Sequence, residues 1–160
     1  MLLIRNAMLY TMEDGAVPQQ GDILMDGGKI RAAGRDLPAQ GAEVLDASGL
    51  TATPGLIDAH SHVGGFAMEG ADLNEITDPV TAQLCAIDAI DIHCDAFKAL
   101  HTFGITAACF VPGSANGVCG TGFVAKTAGD NTVGDLAVLN PAVMKCALGG
   151  NPKGYGKKGK

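Results

Sequence analysis

The chain has 160 residues, 47% of them hydrophobic and 18% charged, so a packed core is available and wholesale disorder is excluded. Eleven Lys and Arg face 17 Asp and Glu, and four of the basic residues (Lys153, Lys157, Lys158, Lys160) sit in the last eight positions. An acidic body of this kind excludes a general nucleic-acid binder. No apolar run approaches the ~18 residues of a membrane helix, and Arg5 and Asn6 interrupt the first apolar stretch, so Met1 to Leu9 reads as a strand rather than a leader. Five cysteines with no CxxC pair argue for reduced thiols and a cytoplasmic location. Cys94 and Cys119 are the two placed in polar or Gly-rich surroundings, where exposure is expected.

In chain order, Leu2 to Ile4 and Ala7 to Tyr10 read as strand, followed by a turn at Glu13-Asp14-Gly15. Asp22 to Met25 and Lys29 to Ala33 flank Asp26-Gly27-Gly28, a hairpin signature. Glu43 to Asp46 is one more short strand. After Thr53-Pro54-Gly55 the pattern changes: Leu56 to His62 begins apolar and ends in ligand-type side chains, and Gly64-Gly65 stops it. The acidic stretch Glu69 to Asp78 reads as a solvated loop, with a lid over the site as its functional alternative. Asp95 to Phe103 reads as a helix with Phe97, Leu100 and Phe103 at spacings of three and Gly104 as its C-terminal cap. Ile105 to Val111 is a buried-type strand. Strand, loop, helix and strand in that order are the βα pattern of a parallel sheet. Beyond it, Gly113 to Gly122 reads as a Gly-rich loop, and Phe123 to Ala125, Leu136 to Leu139 and Val143 to Lys145 are short segments of open type.

His60 and His62 are the sharpest chemical signal. Residues i and i+2 of a strand face the same side, about 6 to 7 Å apart, so two imidazoles there can share one divalent metal. Asp58 lies on that face as well, either orienting a histidine or serving structure alone. His93 reads as an N-terminal helix or loop residue and His101 as a surface or half-buried helix residue. The Gly-rich loop lacks both the GK(S/T) ending of a phosphate loop and a GxGxxG fingerprint. Asn116 within it and Lys126 after it are weak candidates for substrate contact.

The run Thr53-Pro54-Gly55-Leu56-Ile57-Asp58-Ala59-His60-Ser61-His62 closely resembles the entry motif of the amidohydrolase superfamily. Gly104-Ile105-Thr106, Pro112 to Asn116, Lys126 to Gly129 and Met144-Lys145 through Lys153 resemble its imidazolonepropionase-related branch. The resemblance implies an α/β fold: N-terminal β-sandwich strands over 1–53, then the first few βα units of an incomplete TIM-like (β/α)8 metal-dependent hydrolase barrel over 54–150. The Gly/Lys-rich remainder, 151–160, is expected to be a flexible basic tail. The implied chemistry is hydrolysis of a cyclic or linear non-peptide amide by a metal-activated water, the metal being zinc or another divalent ion held by His60 and His62. The proton-shuttling carboxylate and the remaining ligands are expected beyond residue 160. A complete barrel takes roughly 250 residues, whereas 106 follow Pro54. The expectation is therefore a fragment, inactive alone, that self-associates or completes its barrel with a second chain. The rival expectations are a non-catalytic remnant or subunit and an amino-sugar deacetylase of the same superfamily.

Overall fold

A computed structural model describes residues 1–65, 73–129 and 132–157, and the chain divides into two compact units, Met1–Pro54 and Gly55–Lys160. The first unit is built on β1 (Leu2–Leu9), β2 (Gln19–Asp26), β3 (Lys29–Gly34), β4 (Glu43–Asp46) and β5 (Thr51–Ala52). They form one five-stranded sheet in the order β3-β2-β1-β4, with β5 also on β1. β1 pairs antiparallel with β2 and parallel with β4 and β5. The strands expected as the N-terminal part of a β-sandwich thus form a single sheet among the described residues. Gly27 and Gly28, at φ 57° and 73°, make the tight β2–β3 turn that Asp26-Gly27-Gly28 predicts.

The two apolar halves expected around Arg5-Asn6 are one strand carrying a bulge. Two residues lie between Ile4 and Ala7, against one between their partners Ile23 and Gly21. Asn6 takes φ 65°, a left-handed conformation that Asn tolerates. The buried Asp22 carboxylate holds this bulge, accepting the backbone N–H groups of Asn6 and Leu37 at 3.0 Å each. Alternation along β1 buries Leu3, Ala7 and Leu9, and Ala7 and Leu9 pack with Ala47 as the core of this unit.

The second unit places β6 (Leu56–Ser61), β7 (Ile105–Phe110), β8 (Val118–Lys126) and β9 (Ala137–Cys146) in one sheet, in that order. β6 and β7 are parallel and joined through α1 (Asp95–Ala99), which runs on as a 3₁₀ turn over Leu100–Phe103. Cys94 caps α1, its sulfur accepting the Phe97 N–H at 3.4 Å. Gly104 closes the turn at φ 79°, as expected. Phe97 and Leu100 face the core, whereas Phe103 is 75% exposed.

The parallel βα pattern does not continue at β8. Only one parallel βαβ crossover is present among the described strands, because β8 pairs antiparallel with β7, and β9 antiparallel with β8. The Gly-rich stretch expected as a loop is strand from Val118 onward. Its glycines serve close approach: a Cβ on Gly120 would lie 2.6 Å from the Leu84 carbonyl oxygen, and one on Gly122 would lie 2.6 Å from that of Phe110. The described residues of the stretch expected as a tail belong to helix α3 (Gly150–Lys157). Between β8 and β9, α2 (Val133–Leu136) carries a capping box in which Thr132 and Asp135 satisfy each other's backbone N–H groups. The core is a stack of three rings, Phe97 on Phe110 at 5.4 Å and Phe110 on Phe123 at 5.3 Å, flanked by Ile90, Ile92 and Leu100.

Candidate metal centre

β6 delivers His60 and His62 at its C-terminal end, and their rings converge. The two Nε2 atoms are 3.3 Å apart, and the rings meet edge to face with centroids 5.0 Å apart. His62 Nδ1 lies 2.9 Å from the Val111 carbonyl oxygen, which can only accept. Nδ1 therefore carries the proton, and Nε2 of the neutral ring presents its lone pair. On the other side the Lys145 amine lies 3.0 Å from His60 Nε2. An ammonium has donors and no acceptor, so His60 Nε2 is the acceptor in this contact. Burial first, then the charges of Lys145 and His62, push the His60 imidazole below its usual range, with Asp58 opposing. A neutral ring is the form that ligates metal.

Nitrogen ligands about 2.0–2.1 Å from a tetrahedral ion stand about 3.4 Å from one another, so the spacing fits a shared divalent metal. The donor set is partial: among the described residues no group of three or more His, Cys, Asp or Glu could hold an ion. Asp58 does not join the pair as a donor; its Oδ1 accepts the His60 backbone N–H at 3.0 Å.

The other candidates lie apart from this point. Lys126 is exposed and pairs with Ala107 near the start of β7, at the opposite end of the strands from Val111. Asn116 is 1% exposed, and its amide donates to the Asp78 carbonyl at 3.0 Å and to Thr81 Oγ1 at 2.7 Å. It ties the end of the acidic segment to the start of β8 and offers no accessible surface to a substrate. Cys119 is buried at 2% exposure, not exposed, and its thiol donates to the Asn116 carbonyl. His93 lies in a turn and His101 is exposed in the 3₁₀ turn, in keeping with the bland reading of both. The lid expectation falls in part on residues 66–72, outside the described residues.

Lys145 is the residue that sequence reasoning missed. A lysine in a short apolar segment reads as solvated, and only the β8–β9 pairing, with Lys145 opposite Gly120, brings it to the histidines. The antiparallel return of β9 left no signal in the spacing.

No family model matches the chain. By structure it is similar to an amidohydrolase from Thermotoga maritima MSB8, with a TM-score of 0.86 and 36% identity over 99% of this chain and 42% of that one. By sequence it is 31% identical to the amidohydrolase tasK of Hapsidospora irregularis, over 79% of this chain and 15% of that protein. It is also 36% identical to a dihydroorotase of Lactobacillus johnsonii, over 48% of this chain and 24% of the enzyme. The chain thus spans less than half the length of each of these relatives.

Proposed function

We propose, from the chain's kinship with the amidohydrolase superfamily, that it supplies the metal-gripping end of a hydrolase that cleaves a non-peptide C–N bond in a cyclic or linear amide. The observation that carries this reading is the 3.3 Å approach of His60 Nε2 to His62 Nε2. Those two imidazoles would hold a divalent metal, zinc by the chemistry of the donors. When bound, such an ion supplies a reactive hydroxide near neutral pH. The chain's own part is to hold the ligands. The Val111 carbonyl fixes the tautomer of His62. Lys145 places a cationic amine beside His60, where it can also contact an anionic group of a substrate. The imidazolonepropionase-like branch is the finer assignment, favoured by the sequence runs at 104–106 and 112–116. The amino-sugar deacetylase reading has no structural feature in its favour.

The test is metal content. Zinc bound after equilibration and dialysis should fall to background in His60→Ala and in His62→Ala, and the longer enzyme carrying either change should lose amide hydrolysis. Both variants keeping full metal and full activity would sink the assignment.

A second reading has one observation behind it. Two imidazoles are fewer than the three protein ligands usual at a catalytic zinc site, and no other His, Cys, Asp or Glu cluster joins them among the described residues. The 160 residues alone are then inactive, and activity needs further polypeptide, in the same chain or in a partner. Amide hydrolysis by the purified chain alone would refute this.

A further inference from the structure

The convergence of the two rings is not what a regular strand provides. Residues i and i+2 sit about 6.5 to 7 Å apart along a strand, with side chains standing roughly parallel. Here the Nε2 atoms close to 3.3 Å. The strand itself differs from a regular one at this place. Asp58 is registered with Ala108 and Ser61 with Phe110, so three steps along β6 match two along β7. One extra residue is therefore housed at Ala59–His60. A bulge of this kind leaves an amide outside the ladder and re-aims the side chains beside it. The Asp58 carboxylate takes the N–H of His60 at 3.0 Å, within the bulge. Beyond it, Ser61 is buried and the Val111 N–H returns to the Ser61 carbonyl at 3.1 Å, so the ladder resumes at once.

We infer that Asp58 is a positioning residue: by binding the His60 backbone N–H it holds the bulge that turns the His60 ring toward His62, and so sets the distance between the two metal-binding nitrogens. The inference rests on the metal reading above only for its affinity arm; the ring contact is a property of the metal-free chain. What Asp58 supplies is an acceptor at a fixed place. Asparagine retains that acceptor, and alanine removes it. Glutamate keeps the charge but carries the oxygen one methylene too far.

The experiment uses the full 160-residue chain with Co²⁺ alone as probe, together with NMR of the metal-free protein. Asp58→Asn should bind Co²⁺ within about threefold of the parent, whereas Asp58→Ala should bind at least tenfold more weakly, the scale of losses typical for groups that orient a ligand. In the metal-free state the inter-ring nuclear Overhauser contact between His60 and His62 should persist in Asp58→Asn and vanish in Asp58→Ala. The His62 Nδ1 signal should stay that of a proton donor to a carbonyl in both. Unchanged Co²⁺ affinity with an unchanged ring contact in Asp58→Ala would overturn the inference. If Asp58→Ala loses the parent's circular dichroism spectrum, Asp58→Glu decides by the same two readings, loss supporting and retention overturning. His60→Ala and His62→Ala run alongside. If they bind Co²⁺ like the parent, the metal reading fails, and the ring contact alone still judges Asp58.

Discussion

Single side chains in this chain do local work that their sequence neighbours announce. The Asp46 carboxylate accepts from Ser48 Oγ at 2.7 Å, from Asn6 Nδ2 at 3.1 Å and from the Ser48 N–H at 3.1 Å. The Ser48 hydroxyl, then the Asn6 amide, then the Ser48 N–H hold the carboxyl below the usual aspartate range. A carboxyl whose folded value is depressed stabilises the fold above its unfolded value and loses that contribution as pH falls through the folded one. In a ¹³C NMR titration Asp46 should therefore titrate below an ordinary aspartate, and Ser48→Ala should move it back upward. Asn116 matters differently. It is buried, its amide bridges Asp78 and Thr81, and its Oδ1 has no protein partner among the described residues. Asn116→Ala leaves the Asp78 carbonyl without that donor and should cost about 1–3 kcal/mol in urea denaturation. The sequence offered Asn116 as a substrate contact because its Gly-rich stretch follows a barrel-type strand and should then lie at the C-terminal face, where barrel active sites sit. Only the pairing of segment 80–85 with β8 reveals that it is inside.

Among the elements, the β6–α1–β7 crossover was legible: the apolar strand runs, the Phe97 and Leu100 spacing and Gly104 all announce themselves in the residues. The β8–β9 half was not. Val118-Cys119-Gly120-Thr121-Gly122 has the composition of a loop, yet its glycines are where Leu84 and Phe110 bring their backbones against the strand. Glycine signals a turn and a close approach alike, and one sequence does not separate them. β9 compounds this, since Pro141 breaks its pattern; it lies at the sheet edge, where a residue without an N–H is tolerated. Two predictions belong here. Gly120→Ala, at φ 120° with its Cβ against the Leu84 carbonyl, should destabilise β8 and speed amide exchange at Thr81 and Thr121, whose N–H groups bridge this contact. Phe110→Ala removes the middle ring of the stack and should cost about 3–5 kcal/mol by thermal or chemical unfolding.

For the whole molecule, the edge strands decide behaviour in solution. β6 and β9 are the two borders of the second sheet, and Leu56, Ile57, Val138, Leu139 and Met144 on them are each at least 48% exposed. Unpaired edges with apolar side chains favour association. Size-exclusion chromatography with light scattering should show a mass that rises with concentration above that of one chain, and Ile57→Lys with Leu139→Lys should return it to one chain. A concentration-independent single-chain mass for the parent would contradict this. The described helices include none long and apolar enough to cross a membrane.

The ring stack has a further consequence, for the order in which the chain acquires structure. Its members, Phe97, Phe110 and Phe123, all come from one contiguous stretch, each a short loop from the next. Closing short loops costs little entropy. An aromatic kernel can therefore assemble from residues 97–123 alone, so the frame beside His60 and His62 does not depend on β9, the strand that brings Lys145 to them.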